Sequence, residues 1–381
     1  MSKLSNVSCY VTEKISVDSI DISEYITTDN LLQNKKGRVI AEKLPTQKVT
    51  RFKKNDILIA NIRPYLKKIW QADIDGGASS DVLVVRPNDV IDNNFLYYAL
   101  TQDSFFEYVM KGSKGTKMPR GDKSQIMDFV IPNLEIDEQI KIGKLLKSID
   151  QKIQINNQIN RELESMAKTL YDYWFVQFDF PDQNGKPYKS SGGKMVYHPE
   201  LKREIPEGWG VESVGNLLDK VTKAEKIENN SIEFIGEIPV IDQSQKYIAG
   251  FTNNEKALLQ PQDGHVIFGD HTRVVKYINF DYARGADGTQ VLISNNENIS
   301  NVLLYHMIED FDLSNYGYAR HFKFLKEKTV IVPDKEVSSK FETQANVIYE
   351  KIKNNIFENQ ELTQLRDWLL PMLMNGQVKV E

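Results

Sequence analysis

Two long stretches of this chain repeat one another about 200 residues apart, so a fold must accommodate two copies of one plan. Ile57-Leu58-Ile59-Ala60-Asn61 matches Val266-Ile267-Phe268-Gly269-Asp270 at an offset of 209 (57 to 266). Both read as short buried strands ending at a polar turn. Gly77 to Val84 matches Ala286 to Ile293 at the same 209 (77 to 286). Phe95-Leu96-Tyr97 then matches Leu303-Leu304-Tyr305 at 208 (95 to 303), and Ile131-Pro132 matches Val332-Pro333 at 201 (131 to 332). Loop insertions and deletions produce such a drift.

The last match is a helical seam. Spaced four and three apart stand Ile142, Leu146, Ile149, Ile153, Asn156, Asn160, Leu163, Ala167, Leu170 and Trp174. Their counterparts at an offset of 199 are Phe341, Ala345, Ile348, Ile352, Asn355, Asn359, Leu362, Arg366, Leu369 and Leu373. Only Ala167 against Arg366 changes polarity class. A 4-3 pattern sustained this long predicts a coiled coil. If a pseudo-two-fold axis relates the copies and crosses the helices, they pair antiparallel. Asn156 then faces Asn359 and Asn160 faces Asn355, fixing the register at some cost in stability. About 33 residues at ~1.5 Å each make a rod of roughly 50 Å. That is on the order of 15 base pairs of duplex at ~3.4 Å each.

The expected fold class is α+β: two strand-rich globular domains separated by two long antiparallel helices, in a pseudo-two-fold internal repeat. The first domain covers residues 1–133 and the first helix 134–176. A linker rich in Gly, Pro, Ser and Lys covers 177–206 and has no period of either kind. The second domain covers 207–333, the second helix 334–376 and a tail 377–381. A chain of 381 residues with 40% hydrophobic and 27% charged residues suits such a multidomain soluble fold. It holds no apolar run of 18 residues, so no membrane span is expected. The opening MSKLSNVSCYVTEK lacks the apolar stretch of a secretory signal, so the cytoplasm is the expected compartment.

The net charge of −5 argues mildly against nucleic acid, but phosphate binding depends on local charge. In the first domain, Lys111, Lys114, Lys117, Arg120 and Lys123 recur every third residue in a Gly-rich loop suited to a phosphate backbone or a groove. Asn61, Arg63, Tyr65, Lys67 and Lys68 follow the first strand and mix base-reading, stacking and phosphate-binding types. The second domain offers His271, Arg273 and Lys276 after the matching strand, then Arg284, and then Arg320, His321 and Lys323. That both copies carry such residues at matching places says more than any single one. If both bind DNA, they read two separated half-sites, and because the copies differ in sequence the half-sites differ.

No catalytic centre is expected. Cys9 is the sole cysteine, which rules out an intrachain disulfide and a cysteine-based zinc site. Histidines 198, 265, 271, 306 and 321 show no metal-ligand spacing. Gly112 to Lys117 falls short of a Walker A loop, and no Gly-rich turn of nucleotide or methyl-donor type follows a strand. Asn93-Asn94-Phe95 lacks both prolines of the amino-methyltransferase motif. Pro181-Asp182 with Glu200-Leu201-Lys202 fits a loose nuclease pattern only formally, in a linker without flanking strands.

With these residues in view, the chain resembles, over essentially its whole length, the specificity subunits of Type I restriction-modification enzymes. Ile131-Pro132-Asn133-Leu134-Glu135-Ile136-Asp137-Glu138-Gln139 is similar to that family's lead into its first helix, departing at Asn133 and in one spacer residue. Met166 to Phe175, Gly185 to Trp209 and Leu370 to Gly376 resemble the first-helix end, the linker and the second-helix end. The second helix begins without the Glu-Gln pair. The resemblance implies two target-recognition domains that read an asymmetric bipartite site on double-stranded DNA. It implies two methyltransferase subunits and further restriction subunits as partners, with adenine methylated in each half-site. S-adenosylmethionine, Mg²⁺ and ATP would belong to those partners, with no cofactor on this chain. Apolar residues outside the seam, Leu145, Ile155, Ile159, Met166 and Tyr173, fit a partner face. A stand-alone DNA-binding scaffold, or a nuclease without a visible catalytic site, are the competing classes.

Overall fold

The computed structural model describes residues 2–219, 224–286, 288–314, 317 and 320–380. Asp287, inside the second copy of the strand match, and Glu381, at the end of the tail, lie outside them. The chain forms two compact units. One comprises residues 1–155 and 358–381 and the other residues 156–357. Each therefore contains one strand-rich domain together with a segment of both long helices, Ile136–Tyr171 and Lys335–Met374. This differs from the sequence reading, which set the helices outside the domains. The apolar seam cannot be left in water, and each helical segment buries it partly against its own domain.

In the first unit the strand Ile57–Ala60 lies between Ile69–Gln71 and Val82–Pro87, antiparallel to both. All four of its residues are buried, which explains the unbroken apolar run. Beside it, Gly76–Ala78 pairs parallel with Tyr25–Ile26 and antiparallel with Val49–Phe52. The second unit repeats this pairing pattern. His265–Gly269 lies between Val275–Ile278 and Thr289–Leu292, antiparallel to both. Tyr282–Arg284 pairs parallel with Ile238–Ile241 and antiparallel with Leu258–Leu259.

The helical segments run antiparallel in both units. In the first, Lys141 reaches the Val380 carbonyl at 3.4 Å, Asp150 pairs with Arg366 at 2.7 Å and Lys152 with Glu358 at 3.1 Å. Ile142 and Leu146 share a core with Leu370, Leu373 and Met374. In the second, the Asn355 side-chain amide donates to Asn160 Oδ1 at 2.7 Å, and Tyr171 meets Phe341 edge-on. All twenty seam positions are buried or half-buried. Arg366, the one polarity exception, has its reason here: its guanidinium meets Asp150, which also accepts the Tyr98 hydroxyl at 2.6 Å.

Gly143 lets the first helix approach the helix Asn93–Thr101. A Cβ there would stand 2.5 Å from Asp92 Oδ1 and 2.9 Å from the Phe95 nitrogen. The side chain of Gln139 spans the same contact, donating to the Leu134 carbonyl and accepting from the Asp92 N–H. The segment 177–206 is not an unstructured linker. A π-helical turn, Asp172–Val176, ends the first helix. Phe178, Phe180, Ile205 and Trp209 then bury themselves in the core of the second unit, Phe180 stacking on Trp209 at 5.0 Å. Met195–His198 and Arg203–Pro206 close an antiparallel hairpin over them.

Candidate nucleic-acid interface

The two basic segments of the first domain, far apart in sequence, form one surface. The strand Ile57–Ala60 ends at Asn61, whose carbonyl accepts the Gly121 N–H at 3.2 Å. Arg63 donates its backbone N–H to the Pro119 carbonyl at 2.8 Å, and Ile62 bridges Arg120. Lys114 and Arg120 exchange backbone hydrogen bonds at 2.9 Å each way, so Lys114–Arg120 is a closed loop anchored to the strand end. Arg63, Tyr65, Lys111, Lys117 and Lys123 are exposed on it, with no side-chain ion pair among the described residues. Lys114 and Arg120 are also exposed but pair with Asp122 at 3.2 Å and Asp81 at 3.1 Å. Such surface pairs are weak and exchange readily for phosphate.

Three residues expected here are not free on the surface. Asn61 is buried under Gly121. Lys68 donates to the Thr28 carbonyl, and Lys67 pairs with Asp103 at 2.9 Å, as does Lys35. Burial raises the Asp103 carboxyl, but the two ammonium groups outweigh it and hold it below the usual carboxylate range. These contacts fasten the surface from behind.

In the second domain Asp270 organises the matching place. Its carbonyl accepts the His321 N–H at 2.9 Å, its carboxylate accepts the Phe322 N–H at 2.8 Å, and its own N–H meets the Gly288 carbonyl at 2.7 Å. The turn carrying His271 and Arg273 thereby meets the first residues of the helix His321–Lys326. His271, Arg273, Arg320 and Lys323 are exposed, and Arg284 is half-exposed on its strand. His321 is buried, its ring against the Asp270 carbonyl at 3.0 Å. Lys276 is the clearest departure from expectation. Only 5% of the residue is exposed, and its ammonium donates to the carbonyls of Asp242 at 2.8 Å and Lys246 at 2.5 Å. Burial pushes it down to about 8, against a partial lift from Asp242. It is a structural cation rather than a free one.

Sequence reasoning did not single out the segments that these lysines hold, 27–38 and 242–247. In the first, Asn34 and Lys35 donate to the carbonyls of Leu66 and Lys67 at 2.9 Å each. The only sequence signal was their content of Asn, Gln and Lys beside a strand end. Among the described residues no group of three His, Cys, Asp or Glu side chains could hold a metal ion. No helix among them is long and apolar enough to cross a membrane.

The profile of the family described as Type I restriction modification DNA specificity domain matches residues 11–165, which spans the first surface and most of the first long helix. Over that stretch the chain is similar to the Type I specificity-subunit family. It is 26% identical over 326 residues to the Type I restriction enzyme MjaIX specificity subunit of Methanocaldococcus jannaschii, covering 78% of this chain and 72% of that one. It is 23% identical over 462 residues to the HindI specificity subunit of Haemophilus influenzae, covering 98% of each. The fold is similar to the crystal structure of a Type I restriction-modification S subunit from M. genitalium, with a TM-score of 0.58 and 17% identity over 98% of this chain and 95% of that one.

Proposed function

We propose that this chain is the subunit that gives a Type I restriction-modification complex its DNA sequence specificity, and that it catalyses nothing itself. One observation carries the reading: in both domains, loops from distant parts of the sequence converge at the end of the central strand and present exposed cations there. Phosphate contacts of this kind fix register and orientation on the duplex, while neighbouring amide and ring groups read base edges. Each domain reads one half of an asymmetric bipartite site on double-stranded DNA, and the two long helices set the spacer.

The partners of this reading are two methyltransferase subunits and the restriction subunits. S-adenosylmethionine, Mg²⁺ and ATP belong to them. A partner face is supported by the exposed apolar residues Ile155, Ile159, Met166 and Tyr173 on or just beyond the first helix and Val347, Leu365 and Trp368 on the second. Leu145 drops out, because it packs half-buried against its own domain.

The direct test is DNA binding by the chain assembled with its modification subunits. The expected result is tight binding to one split motif, weakening steeply with salt. Purified chain with Mg²⁺ and plasmid should leave the plasmid intact. Cutting by the chain alone, or equal affinity for all duplexes, would overturn the proposal.

A further inference from the structure

One device occurs in both domains. In the first, Lys68, leading into the strand Ile69–Gln71, reaches the Thr28 carbonyl just after the strand Tyr25–Ile26, which belongs to the other sheet. In the second, Lys276, in the strand Val275–Ile278, reaches the Asp242 carbonyl just after Ile238–Ile241 and also the Lys246 carbonyl. Tyr25–Ile26 and Ile238–Ile241 hold corresponding places, each pairing parallel with its neighbour (Ile26 with Ala78, Ile241 with Arg284). Both lysines thus fasten the backbone that leaves the same strand.

What is fastened is ordered loop. In the first domain Leu31 bridges Arg38, and the Leu32 N–H donates to the Gly37 carbonyl at 2.8 Å, closing a hairpin. Its tip docks on the turn that carries Arg63 and Tyr65, through Asn34 to Leu66 and Lys35 to Lys67. Asn34 and Lys35 both adopt left-handed backbone, with φ of 56° and 63°. Lysine rarely does so without surrounding structure that forces it. In the second domain Asp242 accepts from both the backbone and the hydroxyl of Ser244, and the Gln243 carbonyl accepts the Thr272 hydroxyl at 2.6 Å. Gln243 Oε1 also accepts the His271 N–H at 3.1 Å. The loop is thus tied to the turn that carries His271 and Arg273. The exposed tips are Gln33, Asn34 and Lys36 in one domain and Gln245 and Lys246 in the other. Side-chain amides beside cations, held rigid next to phosphate-binding groups, suit bidentate recognition of adenine.

We infer that these two tips are specificity-determining elements: Gln33 and Asn34 read base edges in one half-site and Gln245 in the other, with Lys68 and Lys276 as positioning residues that touch no DNA. This rests on the DNA-reading role proposed above. It adds a second contact segment to each domain, distinct from the loops at the central strand end.

The test uses the full complex with its modification subunits and maps methylated adenines genome-wide. The Gln33→Ala/Asn34→Ala protein should lose roughly tenfold discrimination at positions in one half-site only, and Gln245→Ala in the other half only. Lys68→Met should relax the same half as the Gln33→Ala/Asn34→Ala protein, and Lys68→Arg, which still reaches the Thr28 carbonyl, should restore it. A merely structural role would change the amount of methylation and not which bases are required. If a variant methylates nothing, binding of the same complex to duplexes varied one base pair at a time gives the discrimination instead. An unchanged motif for either tip variant, or discrimination within about twofold of the original at every position, overturns the inference. A parent complex whose methylation motif does not depend on this chain would instead remove the reading on which it rests.

Discussion

At the residue scale, most of the informative side chains are charged or amide groups taken out of water. Asn160 and Asn355 bond to each other in the second unit. Replacing one by Leu leaves the other buried and unsatisfied, which costs about 1–3 kcal/mol, whereas replacing both should be near neutral or stabilising. A double-mutant cycle by urea denaturation checks this. Lys276 makes a pH prediction. Its ammonium titrates near 8 in the folded chain and near the ordinary 10.5 when unfolded. Below 8 both states carry the proton, and burial of the charge costs stability. Between about 8 and 10.5 the folded state releases the proton first, so stability rises with pH in that window. Relative to Lys276→Met, the gain should reach on the order of 3 kcal/mol by pH 10.5. Matched melts of the two proteins across that window measure it; a flat difference would contradict the buried-charge description. On the surface, Arg63→Ala should weaken DNA binding and lower the salt slope by about one, if the proposed phosphate contact is removed.

At the element scale, legibility in the sequence followed periodicity. The 4-3 seam was readable because each of its positions is buried or half-buried, and the central strands because Ile57–Ala60 and His265–Gly269 are buried throughout. The segment 177–206 was not, because Phe178, Phe180 and Trp209 pack as an aromatic cluster with no repeat spacing. Basic residues were legible as a class and not as individuals. Arg63 and Lys276 look alike in sequence, yet one is exposed and the other buried, a difference set by strand register and by the loop that folds over it. The fastened loops 27–38 and 242–247 left no trace beyond composition, because their order comes from lysines 30 to 40 residues away. The helices carry their own prediction. If they set the spacer, one heptad inserted at matching points in both adds ~10 Å, or roughly three base pairs. The methylated motif should lengthen by that unread gap while both half-sites keep their bases.

At the scale of the whole molecule, the chain uses one plan twice and changes the side chains at the tips. Pairing order, central strand and lysine-held loop recur, while Arg63 and Tyr65 in one domain stand against His271 and Arg273 in the other. In the proposed reading, a duplicated scaffold with unlike tips recognises a split, asymmetric sequence, where a symmetric dimer of identical domains recognises a palindrome. The most direct measurement is single-molecule methylation sequencing of DNA from cells that hold the modification subunits with and without this chain. The account predicts a split motif of two unlike halves, methylated at adenine in each, present only when the chain is present. The same methylated motif in both samples, or a palindromic one, would contradict it.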